Sequence, residues 1–133
     1  MSNAEAKVMI NELHQKSDNG RVAVTPEKAI DLAGKLFTDG RYQHAENICR
    51  QILQQNPDQA DAHNILAVAL NAQGKTKAAV SLLKRAVKLA PRAASFYANL
   101  GEVERQRGNL VDARFAFQKA IELDPKNAQA HNN

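Results

Sequence analysis

An all-α solenoid of stacked helical hairpins is the fold class this sequence predicts, and three observations predict it. Pro57, Pro91 and Pro125 stand 34 residues apart, and a fixed period of that length marks a repeat array. Gly40, Gly74 and Gly108 keep the same period, each between two stretches of helical apolar spacing. Whole columns of small and large apolar residues then fall into register. Leu32, Leu66 and Leu100 make one, followed by the small residues Ala33, Ala67 and Gly101. Ala45, Ala79 and Ala113 make another, Cys49, Leu83 and Phe117 a third, and Ile52, Ala86 and Ala120 a fourth.

Each column has a physical reason. A glycine in the left-handed region ends the first helix of a hairpin. The proline ends the second, because the residue before it is pushed out of the α region. Small residues let two antiparallel helices approach, and large ones fill the seam between them. A single hairpin cannot bury its own apolar face, so successive hairpins must stack.

In chain order, Ala6, Met9, Ile10 and Leu13 form an i, i+3, i+4, i+7 stripe that predicts a helix over Ala4–Gln15. That helix reads as a cap on the first hairpin, with a docking or exchange segment between chains as the alternative. A loop follows at Ser17-Asp18-Asn19-Gly20. Thr25 is placed to cap a helix that opens at Pro26, a favoured position for proline. The predicted hairpins are Pro26–Asp39 with Tyr42–Gln55, Ala60–Gln73 with Lys77–Leu89, and Ala94–Arg107 with Val111–Leu123. The domain plan is therefore 1–25 capping helix and loop, 26–59, 60–93 and 94–127 as repeats, and 128–133 as the start of a fourth. That last stretch, Ala128-Gln129-Ala130-His131-Asn132, echoes Ala60-Asp61-Ala62-His63-Asn64. It predicts a piece cut from a longer protein, with self-association through an uncapped C-terminal end.

The columns resemble the tetratricopeptide repeat, or TPR. Gln118-Lys119-Ala120-Ile121-Glu122-Leu123-Asp124-Pro125 is close to the family's second-helix ending. Tyr97, Leu100 and Gly101 match its aromatic-x-x-Leu-Gly opening, and the likeness runs from Pro26 to Asn133. Ala29 and His63 depart from the opening aromatic, and Glu104 stands where a tyrosine is usual. The resemblance implies a right-handed superhelical solenoid of the kind found in larger bacterial proteins and in O-linked N-acetylglucosamine transferases. It also implies that protein or extended peptide binds on a concave face lined by the first helix of each hairpin. Helical spacing puts Asp31, Asn64, Val68, Asn71, Asn99, Glu102 and Arg105 on that face as candidate peptide-binding residues. The family's clamp for C-terminal carboxylates needs Lys, Asn, Asn, Lys and Arg, where this chain has Ile30, Gly34, Ile65, Ser95 and Asn99. That mode is excluded. An asparagine ladder along a peptide backbone fits in part: Asn99 and Asn133 occupy its column, while Asp31 and Ile65 do not.

Nothing in the chain reads as an enzyme's machinery. No Gly-rich phosphate loop, Gly-x-Ser-x-Gly elbow or His-Glu-x-x-His motif is present, so no catalytic residue, metal or cofactor is expected. Cys49 falls in a large apolar column and reads as an inert core thiol. His63 and His131 stand where a packing aromatic is usual, and none of the four histidines has a partner at metal-ligand spacing. A lone cysteine gives no internal disulfide and no apolar run reaches membrane length, so a cytoplasmic location is expected. The net charge of +4 is mild. Lys75, Lys77, Lys84, Arg85, Lys88 and Arg92 cluster around one second helix, but no aromatics interleave with them for base stacking. Nucleic acid is thus an unfavoured partner. The expected function is a protein- or peptide-binding scaffold. The alternative is a substrate-selecting accessory domain of a larger enzyme, of glycosyl- or sulfo-transferase type.

Overall fold

The computed structural model describes residues 25–126, which form six α-helices and, among the described residues, no strand. They are α1 Pro26–Thr38, α2 Tyr42–Gln55, α3 Ala60–Ala72, α4 Thr76–Leu89, α5 Ala94–Gln106 and α6 Leu110–Leu123. The helix expected over Ala4–Gln15 and the fourth-repeat opening at 128–133 lie outside the described residues.

Local chemistry sets the helix ends. The Thr25 Oγ1 accepts a hydrogen bond from the Lys28 amide at 3.2 Å, and Pro26 follows as the first helical residue. Each first helix closes on a glycine in the left-handed region: Gly40 at φ 79°, Gly74 at 86° and Gly108 at 83°. The next amide then reaches back to the last free turn, Arg41 N to Leu36 O at 2.8 Å and Asn109 N to Glu104 O at 2.9 Å. This closure makes Asp39, Gln73 and Arg107 caps, so the first helices end one residue before the predicted points. Each second helix stops at an extended residue before the column proline: Asn56, Ala90 and Asp124 have φ of −140°, −134° and −146°.

The small and large columns pack against each other inside each repeat. Ala33, Cys49, Ala67 and Leu83 are fully buried. In the third repeat the small partner is Gly101, where an added Cβ would lie 2.8 Å from the Phe117 ring. Along the array each second helix packs on the next first helix, α2 on α3 and α4 on α5, and the first helices also touch in turn, α1 against α3 and α3 against α5. That line of three helices is the inner face.

Two carboxylates lie inside this apolar frame. Glu104 is 2 % exposed in a column otherwise filled by Leu36 and Leu70, and it accepts from Arg107 at 3.0 Å and Asn109 at 3.1 Å. Glu46 is 6 % exposed on α2 and accepts from Arg50 at 2.9 Å and from Gln73 at 3.0 Å, tying the first repeat to the end of α3. Burial opposes its charge, but bonds from Arg50 and Gln73 and the nearby Arg50 and Lys75 charges outweigh that and hold its pKa below the ordinary value. A folded-state pKa below the unfolded one gives stability that is complete above the unfolded value and lost as pH falls through the folded one. Urea midpoints should therefore drop on acidification below about pH 4, and Glu46→Gln should flatten part of that drop. A Glu46→Gln profile parallel to the parent's would remove Glu46 from the account.

Candidate functional site

The inner face carries its polar groups as pairs across helices. Asn99 Nδ2 donates to Asn64 Oδ1 at 2.9 Å, and Asn71 Nδ2 donates to Gln106 Oε1 at 3.1 Å. Both pairs join α3 to α5 and both are 35 residues apart, one repeat plus one position. The second continues along α5: Gln106 Nε2 donates to Glu102 at 3.3 Å, and Arg105 Nε donates to the same carboxylate at 3.0 Å. The Arg105 bonds, only partly opposed by burial, hold Glu102 below the ordinary carboxylate pKa. Asn71 Oδ1 is shielded from solvent and receives no hydrogen bond among the described residues.

Asn64, Asn71, Asn99, Glu102 and Arg105 thus form one polar surface over α3 and α5, with the half-buried Val68 between Asn64 and Asn71 on α3. Arg105 is already committed to Glu102, which spacing alone did not indicate. Gln106, left out of the candidate set, is the link between the Asn71 pair and that ion pair. Helical spacing puts Gln106 on the same face of α5 as Glu102, but its pairing with Asn71 is set by how α5 packs on α3. Asp31 stands apart. It lines an open cleft of about 690 Å³ with Ile30, Gly34, Lys35, Thr38, Asp39 and Ile65.

Other candidate chemistry resolves simply. Burial pushes the Cys49 thiol up to about 12, so it stays protonated in the core. A ring nitrogen of His63 lies 2.8 Å from the Pro57 carbonyl, which anchors the ring at the turn between repeats. No group of three metal-ligating side chains occurs among the described residues. On the outer face all six basic residues are exposed, and Arg85 is paired with Asp58 at 2.9 Å. Among the described residues no helix is long and apolar enough to cross a membrane.

The tetratricopeptide repeat family profile matches residues 36–100 and 70–132. The chain belongs to this family. Among curated relatives, the TPR array is 31 % identical over 110 residues to cellulose synthase operon protein C of Pseudomonas fluorescens, covering 77 % of this chain and 9 % of that protein. It is 32 % identical over 93 residues to the UDP-N-acetylglucosamine–peptide N-acetylglucosaminyltransferase of Caenorhabditis elegans, covering 69 % of this chain and 8 % of the enzyme. The chain thus spans less than a tenth of either relative. Among solved structures, an O-GlcNAc transferase mutant of Thermobaculum terrenum superposes with a TM-score of 0.73 at 30 % identity, over 75 % of this chain and 19 % of that one. The first TPR of Spaghetti (RPAP3), solved with an HSP90 peptide, gives a TM-score of 0.73 at 24 % identity, over 84 % and 90 % of the chains. That second likeness speaks for the fold alone. A TPR solenoid is a protein-interaction scaffold in general, which leaves the face and the ligand to be argued from these residues.

Proposed function

We propose that this TPR array holds an extended polypeptide along its inner face, over α3 and α5. One observation carries the reading. In the Asn64–Asn99 pair one donor and one acceptor satisfy each other. Donor capacity remains on Asn64 Nδ2 and acceptor capacity on Asn99 Oδ1, side by side, and a peptide group offers a complementary carbonyl and amide. Because each amide already orients the other, little side-chain freedom is left to lose on binding. The outer lysines are exposed and strongly hydrated, and an isolated ion pair made there is worth only about 0–1 kcal/mol.

The test compares Asn99→Ala/Arg105→Ala with Lys84→Ala/Lys88→Ala, using fluorescence anisotropy on the best binder from an array of extended peptides. The inner-face double variant should lose most of the affinity at every salt concentration. The outer pair should matter little above physiological salt. If the outer pair abolishes binding and the inner pair leaves it intact, the face is wrong.

A second reading is favoured by the lengths of the relatives. The array covers 8 % of a glycosyltransferase and 9 % of an operon protein. On that reading the same groove selects substrates for a larger enzyme. A catalytic domain encoded beyond Asn133 in the parent reading frame would support it, and a frame with no such domain on either side would remove it.

A further inference from the structure

The inner face is not uniform, and its first-repeat end has chemistry that the amide pairs do not share. The cleft there is floored by Ile30 and Ile65, both half-buried, and opened by Gly34. An added Cβ at Gly34 would meet nothing within 4 Å, so the space above it is free. Around that apolar floor the polar groups are mostly hydrogen-bond acceptors. Asp31 is exposed and has no ion-pair partner among the described residues. Asp39 supplies a second carboxylate. Thr38 Oγ1 donates its hydrogen to the Gly34 carbonyl at 3.0 Å, leaving only acceptor capacity toward the cleft. Lys35 is the single cation of the lining. Beyond the lining, Glu27 and Asp61 add acid in the first turns of α1 and α3 and Lys28 adds one cation, which keeps the balance acidic. The cleft therefore has a sign opposite to the chain's net charge of +4.

From this complementarity we infer that the cleft between α1 and α3 selects a segment of extended polypeptide that carries an arginine or lysine beside an aliphatic side chain. The aliphatic group lies over Ile30, Ile65 and the open space at Gly34, and the cation meets Asp31. An acidic segment is disfavoured, because Asp31 would face like charge. A neutral segment leaves Asp31 without a partner. The inference rests on the inner face being the binding surface, and it assigns that surface a preferred ligand chemistry.

The experiment measures anisotropy of three labelled dodecapeptides, alternating leucine–arginine, leucine–glutamine and leucine–glutamate, on the full chain. The arginine peptide should bind about tenfold tighter than the glutamine peptide, the worth of one charge-assisted hydrogen bond. Asp31→Asn should remove most of that advantage without changing glutamine-peptide affinity. Gly34→Leu should fill the cleft and abolish arginine-peptide binding. It should not melt below the parent, because leucine favours a helix more than glycine does and has room here. A folded Gly34→Leu that binds the arginine peptide as the parent does overturns the location. Equal binding of the three peptides, or preference for the glutamate peptide, overturns the selectivity while leaving the scaffold reading in place. Failure of all three, with failure of every peptide in the array above, overturns both.

Discussion

Gly101→Leu is expected to destabilise the third repeat by roughly 1–3 kcal/mol or more, the usual cost of overpacking a filled seam. The reason is local. A Cβ added at this position would sit 2.8 Å from two Phe117 ring carbons, and a whole leucine needs that ring's place. In a domain of about 100 residues each kcal/mol moves the melting temperature by roughly 4–8 °C, well within reach of circular dichroism. A melting temperature equal to the parent's would show that the small column is not a packing requirement. A sharper version uses the second repeat as a template, where Ala67 faces Leu83 and both are fully buried. Gly101→Ala should crowd Phe117, and Phe117→Leu should leave a gap. The double variant recreates the second repeat's pairing and should be better than the sum, with a coupling of about 0.5–3 kcal/mol.

Leu83→Ala should cost more, about 2–5 kcal/mol, because it removes a fully buried side chain whose surroundings close only in part around the gap. Leu83 is 0 % exposed and shares a cluster with Ala67, Ala79, Val80 and Val103. Val103 belongs to α5, so the cluster joins the second repeat to the third. Arrays of this kind draw stability from contacts between neighbours, and the loss should reach α5 as well as α4. Urea denaturation measures the size. A change below about 1 kcal/mol would mean that the seam collapses around the missing atoms.

The repeat was legible because its determinants are backbone requirements that one residue type meets at a time. A left-handed turn called for Gly40, Gly74 and Gly108, and an extended residue before a proline marked the other end of each hairpin. Helix ends were misplaced by one residue because cap and last-turn residues carry no apolar signal. The inner face was legible as a set of positions, and the pairing among them was not. Helical spacing orders side chains along one helix, whereas Asn64 with Asn99 and Asn71 with Gln106 depend on how far α5 slides past α3. Glu46 was missed for a related reason. Its column runs Glu46, Val80, Arg114, which names no environment, and its neutralising contacts come from Arg50 and from Gln73 on another repeat.

The paired columns also bear on how such a chain can be rearranged. Ala33 with Cys49, Ala67 with Leu83 and Gly101 with Phe117 are three seams of different size, and in the last the glycine makes the room the ring takes. A duplication, deletion or swap that moves a whole 34-residue unit carries both members together and keeps each seam matched. A crossover inside a hairpin separates them. Joining the first helix of the second repeat to the second helix of the third sets Ala67 against Phe117, the crowding met by Gly101→Ala. The reverse join sets Gly101 against Leu83 and leaves a void. Tolerated recombination points should therefore fall at the column prolines and be missing from the glycine turns.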